Sequence, residues 1–324
     1  MVMKLFPRLL TIIITLGLVF PKPLYADNGN KLGIHILETE EITEISKLLP
    51  DGGYVTVPIR LDQLDQMKWQ KFFDESDKYK LTPIIRLATS HNGKYWERPT
   101  KLDIVTFAKF FSGLDWYQDT LLMIAFNEPN HAPEWGGQVD PVSYGDSLTF
   151  LVNWLNTEPK HYLILPAALD AAAGNTKGTM TLNSFLDKLI SQFPETLDKL
   201  AGWNSHAYPN PGFAGLPTDS HKMSIKSYQF ELDIINKRTG KNLPVYITET
   251  GWDNTKKNMT LISRYFQTTY EKVWQPDDRV IAVTPFLFNA QTLPFSAFSL
   301  LDTNEKPTPL YETIKRLSGV GSRE

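Results

Sequence analysis

The chain alternates eight times between a short apolar, β-branched run and a stretch with helical periodicity, and this alternation constrains its fold most strongly. The predicted strands are Leu32 to Leu37, Tyr54 to Arg60, Thr82 to Ala88, Leu121 to Asn127, Tyr162 to Ala168, Gly202 to Tyr208, Pro244 to Glu249 and Val280 to Phe288. The predicted helices are Glu41 to Leu49, Leu64 to Tyr79, Leu102 to Phe111, Tyr144 to Leu155, Asn183 to Phe193, Met223 to Arg238, Leu261 to Val273 and Leu310 to Leu317. Eight apolar strands alternating with helices predict an α/β fold, a single (β/α)8 TIM barrel.

An open, doubly wound nucleotide-binding sheet is not supported, because no GxGxxG follows the first strand and no Walker-type lysine loop is present. No Pro/Gly/Ser-rich linker or low-complexity tract divides the chain. We therefore predict a signal peptide over residues 1–26 and one catalytic barrel domain over residues 27–324. Three long segments after strands, 89–100, 130–143 and 208–220, are expected at the carboxyl end of the barrel, where sites are built.

The first residues are typical of an export signal. Lys4 and Arg8 precede an apolar stretch from Leu9 to Phe20, and cleavage is expected near Ala26. This stretch is shorter than the ~20 residues that span a bilayer comfortably, so we expect no stable membrane insertion after cleavage, with an uncleaved anchor as the alternative. We expect the protein to be secreted or associated with the cell envelope, and we expect the cell to be bacterial.

Charge and cysteine content exclude several functions. Removing residues 1–26 takes away three cations and no acid, which moves the net charge from -3 to -6 and argues against a nucleic-acid partner. The absence of cysteine excludes a disulfide framework, a thiolate nucleophile and cysteine-ligated zinc.

Two glutamates stand at the ends of predicted strands, each in a short polar motif. Glu128 follows the fourth strand in Asn-Glu-Pro-Asn, and Glu249 ends the seventh in Thr-Glu-Thr-Gly-Trp. A carboxylate is costly at an apolar strand end unless it is paired or used. In a barrel both would face one mouth, and a pair of carboxylates is the minimum equipment for cleaving a glycosidic bond.

With these motifs and His206-Ala207-Tyr208 on strand six, the chain resembles the retaining glycoside hydrolases of a large (β/α)8-barrel superfamily, both cellulase-like and xylosidase-like members. The resemblance implies that Glu128 is the acid/base and Glu249 the nucleophile. A negative Glu249 nearby favours protonated Glu128, which suits proton donation. The implied substrate is a carbohydrate, and the two-carboxylate mechanism needs no cofactor and no metal.

The resemblance also implies binding residues. Asn127 would donate a hydrogen bond to the sugar 2-hydroxyl, Tyr208 would hold Glu249, and His206 would line the same pocket. An arginine should keep Glu249 ionised; Arg60 at the end of strand two is the first choice and Arg86 on strand three the competitor.

Aromatic residues near the mouth are candidates for stacking on the apolar faces of sugar rings. Trp96, Trp135 and Trp252 are predicted subsite residues, and loop anchoring by a buried indole is the alternative for each. Relatives commonly place a tryptophan on the last strand, where this chain offers Phe286, Phe288 and Asn289 instead; Phe288 is included among the predicted binding residues.

Three other functions fit parts of the pattern. A metal-dependent hydrolase would need several His/Asp ligands at strand ends, and only His35, His91 and His206 could approach one another. A non-catalytic carbohydrate-binding barrel would have no need for both glutamates. A transglycosidase would use the same residues as a hydrolase. The sugar, the linkage, exo or endo action and the oligomeric state are not encoded in readable motifs.

Overall fold

The computed structural model describes residues 29–319, and these form the predicted α/β barrel. The predicted signal peptide lies outside the described residues. The strands are β1 Gly33–His35, β2 Gly53–Arg60, β3 Leu81–Ala88, β4 Thr120–Ala125, β5 His161–Pro166, β6 Trp203–His206, β7 Val245–Glu249 and β8 Val280–Val283. The α-helices are α1 Ile42–Leu48, α2 Gln66–Lys78, α3 Lys101–Ser112, α4 Pro141–Leu155, α5 Leu182–Gln192, α6 Pro194–Leu197, α7 Ser227–Thr239, α8 Met259–Thr269 and α9 Pro309–Ser318.

All paired strands are parallel, and they follow one another in chain order. Strands β1 to β5 form one ladder and β6 to β8 another. The ring closes where Val283 N donates to Lys31 O at 2.7 Å and where Ala201 N donates to Ile164 O at 3.0 Å. Closure places the carboxyl ends of all eight strands around one mouth.

The helices begin where side chains satisfy the free N–H groups of the first turn. Asp65, Thr100, Asp140 and Thr181 each accept a hydrogen bond from the backbone three residues later, at the starts of α2, α3, α4 and α5. These caps explain why the helices start within a few residues of the predicted positions.

The barrel interior has an apolar layer with a polar layer above it. The apolar layer is made by Tyr54, Ile84, Leu122, Ile124, Leu165, Tyr246 and Ala282. Two residues farther along β2, Thr56 Oγ1 lies 2.8 Å from Thr284 Oγ1, and Thr284 Oγ1 donates to Thr248 O at 2.9 Å. These hydrogen bonds stiffen the floor beneath the mouth, because every buried polar atom in them has a fixed partner.

Two further observations bear on membrane insertion and on metal binding. Among residues 29–319, no helix is long and apolar enough to cross a bilayer. Within the same range, no group of three or more His, Asp or Glu side chains is arranged to hold a metal ion.

Candidate active site

Glu249 lies at the end of β7 with a side chain that is 10% exposed, and two residues hydrogen-bond its two oxygens while a third lies close by. Arg86 Nη1 donates to Oε1 at 2.6 Å, and the Tyr208 hydroxyl donates to Oε2 at 3.1 Å. His206 Nδ1 lies 3.7 Å from Oε2. A charge-assisted bond to arginine and a hydroxyl donor fix both oxygens, so the carboxylate has little freedom to rotate.

Electrostatics keep this carboxylate ionised. Burial by itself would raise the pKa of Glu249, but the positive charges of His206 and Arg86 outweigh it and lower the pKa to about 2. His206 is buried as well, which works against its positive charge; the neighbouring Glu249 and Glu128 nevertheless raise its pKa above the ordinary value. Each group therefore favours the charged form of the other.

Glu128 stands across the mouth, three residues beyond the end of β4. The chain turns sharply there, because Phe126 has a φ of 73° in the left-handed region. Glu128 Oε1 lies 2.7 Å from His206 Nδ1, and its side chain is 22% exposed. The same histidine nitrogen thus lies close to both carboxyl groups, while the Glu128 side chain lines the cavity described below.

His35 lies beneath Glu249 on β1 and is fully buried. Burial lowers the pKa of His35 to about 3, so the ring is neutral, and its Nδ1 donates to Thr248 O at 3.2 Å. His35 and His206 both approach Glu249, at 3.8 and 3.7 Å, whereas His91 packs edge-on against Trp96 at the rim.

Asn127 connects Glu249, through Arg86, to a further carboxyl group, that of Glu134. Arg86 Nη1, which binds Glu249, also donates to Asn127 Oδ1 at 2.9 Å. Asn127 Nδ2 donates to Glu134 Oε2 at 3.1 Å. A continuous row of hydrogen bonds therefore runs from Glu249 to Glu134.

A cavity of about 630 Å³ opens above these residues. Charged and polar side chains from the loops after β1 to β5 line one wall, whereas Phe213, Phe286, Phe295 and Phe298 line the wall after β6 and β8. A cavity lined by both polar and apolar side chains suits a small amphipathic ligand.

The expected contact of Arg60 with Glu249 is wrong, and Arg86 makes it instead. In the β2–β3 register Arg86 pairs with Pro58, while Arg60 pairs with Ala88, farther up the barrel. From that height Arg60 binds Asp62, at 2.6 and 3.0 Å, and its guanidinium lies 5.6 Å from the Trp96 ring. Arg60 still lines the cavity.

Two of the predicted aromatic residues, Trp96 and Trp135, line the cavity. Trp96 is partly exposed and lines the cavity, and its role in binding a sugar stays a prediction. Trp135 also lines it, but it is 1% exposed and its Nε1 donates to Ser143 Oγ, so it chiefly anchors its loop.

For two other predicted binding residues the prediction is wrong, because neither lines the cavity. Trp252 is 2% exposed, outside the cavity lining, and donates to Gly215 O at 2.8 Å. Phe288 is buried with its backbone N–H on His35 O. The observed strand β8 ends at Val283, five residues before the predicted end, and the following chain turns Phe286 rather than Phe288 toward the cavity.

Several lining residues were not predicted. His131 Nε2 lies 2.9 Å from Asp170 Oδ2, which raises the pKa of His131, and the pair joins the loops after β4 and β5. Glu134 and Phe298 also line the cavity. Glu134 follows Glu128 by six residues in a predicted mouth loop, a signal that could have found it. Phe298 lies beyond the last predicted strand, where no pattern pointed to the mouth.

No protein-family model matches the chain, and no curated protein sequence matches it. Several solved structures, however, are similar to this chain in fold. A family 39 glycoside hydrolase from Bacteroides cellulosilyticus WH2 is 15% identical, with a TM-score of 0.62 over 93% of this chain and 65% of that chain. This chain thus spans slightly less than two thirds of that relative's length.

Two further structures are similar. A family 39 β-xylosidase from Caulobacter crescentus is 14% identical, with a TM-score of 0.63 over 92% of this chain and 72% of that chain. Xylanase 10B from Thermotoga petrophila RKU-1, solved with xylobiose, is 13% identical, with a TM-score of 0.55 over 91% of this chain and 95% of that chain. Identities this low show a shared fold, and the predicted (β/α)8 barrel is confirmed.

Proposed function

We propose that this protein is a retaining β-glycoside hydrolase in which Glu249 is the nucleophile and Glu128 the acid/base. The observation that carries the proposal is the shared His206: one buried nitrogen contacts both carboxyl groups, one of them held ionised and the other facing the mouth. Similarity of fold to glycoside hydrolases supports the same reaction class.

The spacing of the carboxyl groups supports retention. Glu128 Oε1 lies 2.7 Å and Glu249 Oε2 lies 3.7 Å from the same nitrogen, so these two oxygens cannot be farther apart than both distances together. That limit lies at the lower edge of the ~6.5 to 9.5 Å that inversion requires to admit a water between the groups, and it accommodates the ~5 to 5.5 Å typical of retention.

In the first step, a Glu249 oxygen attacks the anomeric carbon and forms an ester while the bond to the leaving oxygen breaks. Glu128 transfers its proton to that oxygen. The reaction neutralises the carboxylate, so Arg86 and the Tyr208 hydroxyl must hold it firmly enough to aim it without tying up its lone pairs.

In the second step, Glu128 takes a proton from water, and the resulting hydroxide displaces Glu249 from the sugar. The carboxylate returns to its cationic surroundings, which stabilise it as a leaving group. Two inversions at the anomeric carbon give net retention, and Glu128 serves as acid and then as base.

Asn127 and Trp96 would bind the sugar. Asn127 Nδ2 would donate to the 2-hydroxyl, an interaction that strengthens in the oxocarbenium-like transition state. Trp96 offers a partly exposed indole on which a sugar ring can stack. We further propose export from the cell, from the residues before position 27.

The test is a screen of aryl β-glycosides and β-linked oligosaccharides, beginning with β-xylosides and xylobiose because two structural neighbours are a xylosidase and a xylanase crystallised with xylobiose. NMR of the first product should show the β anomer. A fluorinated activated glycoside should label Glu249, and a label on any other residue would contradict the nucleophile assignment.

If wild type and E249A bind sugars and neither turns them over, the protein is a carbohydrate binder. Transfer to added acceptors in preference to water would identify a transglycosidase.

A further inference from the structure

Glu134 is a third carboxyl group in the cavity, and neither proposed step uses it. It ends a short 3-10 turn, Ala132–Glu134, and lines the cavity beside Asn127. Burial raises the pKa of Glu134 above its ordinary value, although the hydrogen bond from Asn127 works in the opposite direction. Placing a carboxyl group in such surroundings is costly, so a role for it is expected.

The turn that carries Glu134 is held from two sides. Trp96 N donates to Pro133 O at 2.7 Å, and Gly136 N donates to Trp96 O at 2.8 Å. Ala132 N donates to Gly178 O at 2.8 Å. These bonds tie the turn to the loops after β3 and β5, so the Glu134 carboxyl group has a fixed position in the cavity wall.

The amide of Asn127 is held at both ends. Its oxygen accepts from Arg86 Nη1 at 2.9 Å, and its nitrogen donates to Glu134 Oε2 at 3.1 Å. A half-turn of the amide would set its NH₂ against the guanidinium and its oxygen against the carboxylate, which is unfavourable. One Nδ2 hydrogen is used by Glu134, and the second is left for a ligand.

We propose that Glu134 is a positioning residue, which holds the Asn127 amide so that the second Nδ2 hydrogen points at the sugar 2-hydroxyl. This inference rests on the proposed function. It assigns Glu134 the task of a hydrogen-bond acceptor, for which the glutamate charge is not required. It also ties the effect of Glu134 to one hydroxyl group of the substrate.

The experiment compares the aryl β-glycoside that the wild type turns over best in that screen with its 2-deoxy analogue, on wild type, E134A, E134Q, N127A and N127A/E134A. With the 2-hydroxy substrate, kcat/KM should fall about tenfold in E134A and by less than about threefold in E134Q, since glutamine retains an acceptor. With the 2-deoxy substrate, E134A should lie within about threefold of wild type. N127A/E134A should be no worse than N127A, because both act through one contact.

E195A, which changes an exposed glutamate on α6, is the matched control and should behave as wild type with both substrates. The inference is overturned if E134A loses activity equally with both substrates, if it loses none, if E134Q is as poor as E134A, or if the double variant shows additive losses. Those outcomes leave an active wild type and the proposed function intact. A wild type that turns over no glycoside overturns both.

Discussion

The ends of β7 and β4 carry the same residue type in opposite surroundings. Glu249 is bound by Arg86 and Tyr208, with His206 and His35 nearby, and its side chain is 10% exposed. Glu128 contacts His206 and is 22% exposed. The more enclosed carboxylate is held ionised by cationic neighbours, which suits the proposed nucleophile, and the more exposed one is the proposed acid/base.

The largest expected effect is at the enclosed end. E249A should lower kcat by about 10⁵-fold, because no other group can form the ester. Added azide should restore turnover and give the α-glycosyl azide, since a small anion replaces the missing nucleophile from the same face. Single-turnover kinetics and NMR of the product test this. If E249A gave the β-glycosyl azide instead, Glu128 would be the nucleophile and Glu249 the acid/base.

E128A should have a large effect that depends on the leaving group. With a poorly activated oligosaccharide, kcat/KM should fall about 10³-fold, because the leaving oxygen is no longer protonated. With a dinitrophenyl glycoside, which needs no acid, kcat/KM should stay near wild type. The measurement is a plot of log kcat/KM against leaving-group pKa, and equal losses at every leaving group would contradict the acid assignment.

R86M should lower kcat/KM by about 10²-fold and change its pH dependence. Cationic neighbours, His206 first and then Arg86, hold the pKa of Glu249 at about 2. Removing one of them raises that pKa. Since the ionised form is lost as pH falls through the pKa, the acid limb should move to higher pH. R279M, which breaks an ion pair with Asp277 outside the site, should leave the acid limb in place.

Y208F should have the smallest effect, about a tenfold loss of kcat with KM nearly unchanged, because one neutral donor to Glu249 is removed. Y162F removes a buried hydroxyl with no hydrogen-bond partner, away from the cavity, and serves as the control. If Y208F matched the loss in R86M, the hydroxyl would have a role beyond holding the carboxylate.

Much of the fold was predictable because the strands are apolar on both faces and the helices carry caps near their expected starts. Strand ends were less predictable. Strand β4 ends at Ala125, two residues before the predicted end, because Phe126 leaves extended geometry. The predicted run through Phe288 includes a connection that is no longer paired as a strand.

Within the candidate site, the polar residues in or beside a motif were predicted, whereas Trp252 in a motif and Arg60, chosen by its height along a strand, were not. Asn127, Tyr208 and His206 stand in or beside motifs, and the structure brings all three to the glutamates. Arg60 and Arg86 could be ranked only from their distance to the strand end. The barrel register decided between them.

The sequence alone determined the number of βα units and the position of two glutamates at strand ends, because periodicity and strand-end polarity are local properties of the chain. Tertiary structure decided which arginine reaches Glu249, which indoles are buried and which carboxyl group holds Asn127. These contacts join residues separated by as many as 163 positions, as in Arg86 and Glu249, and they depend on strand register and loop packing that no local pattern records.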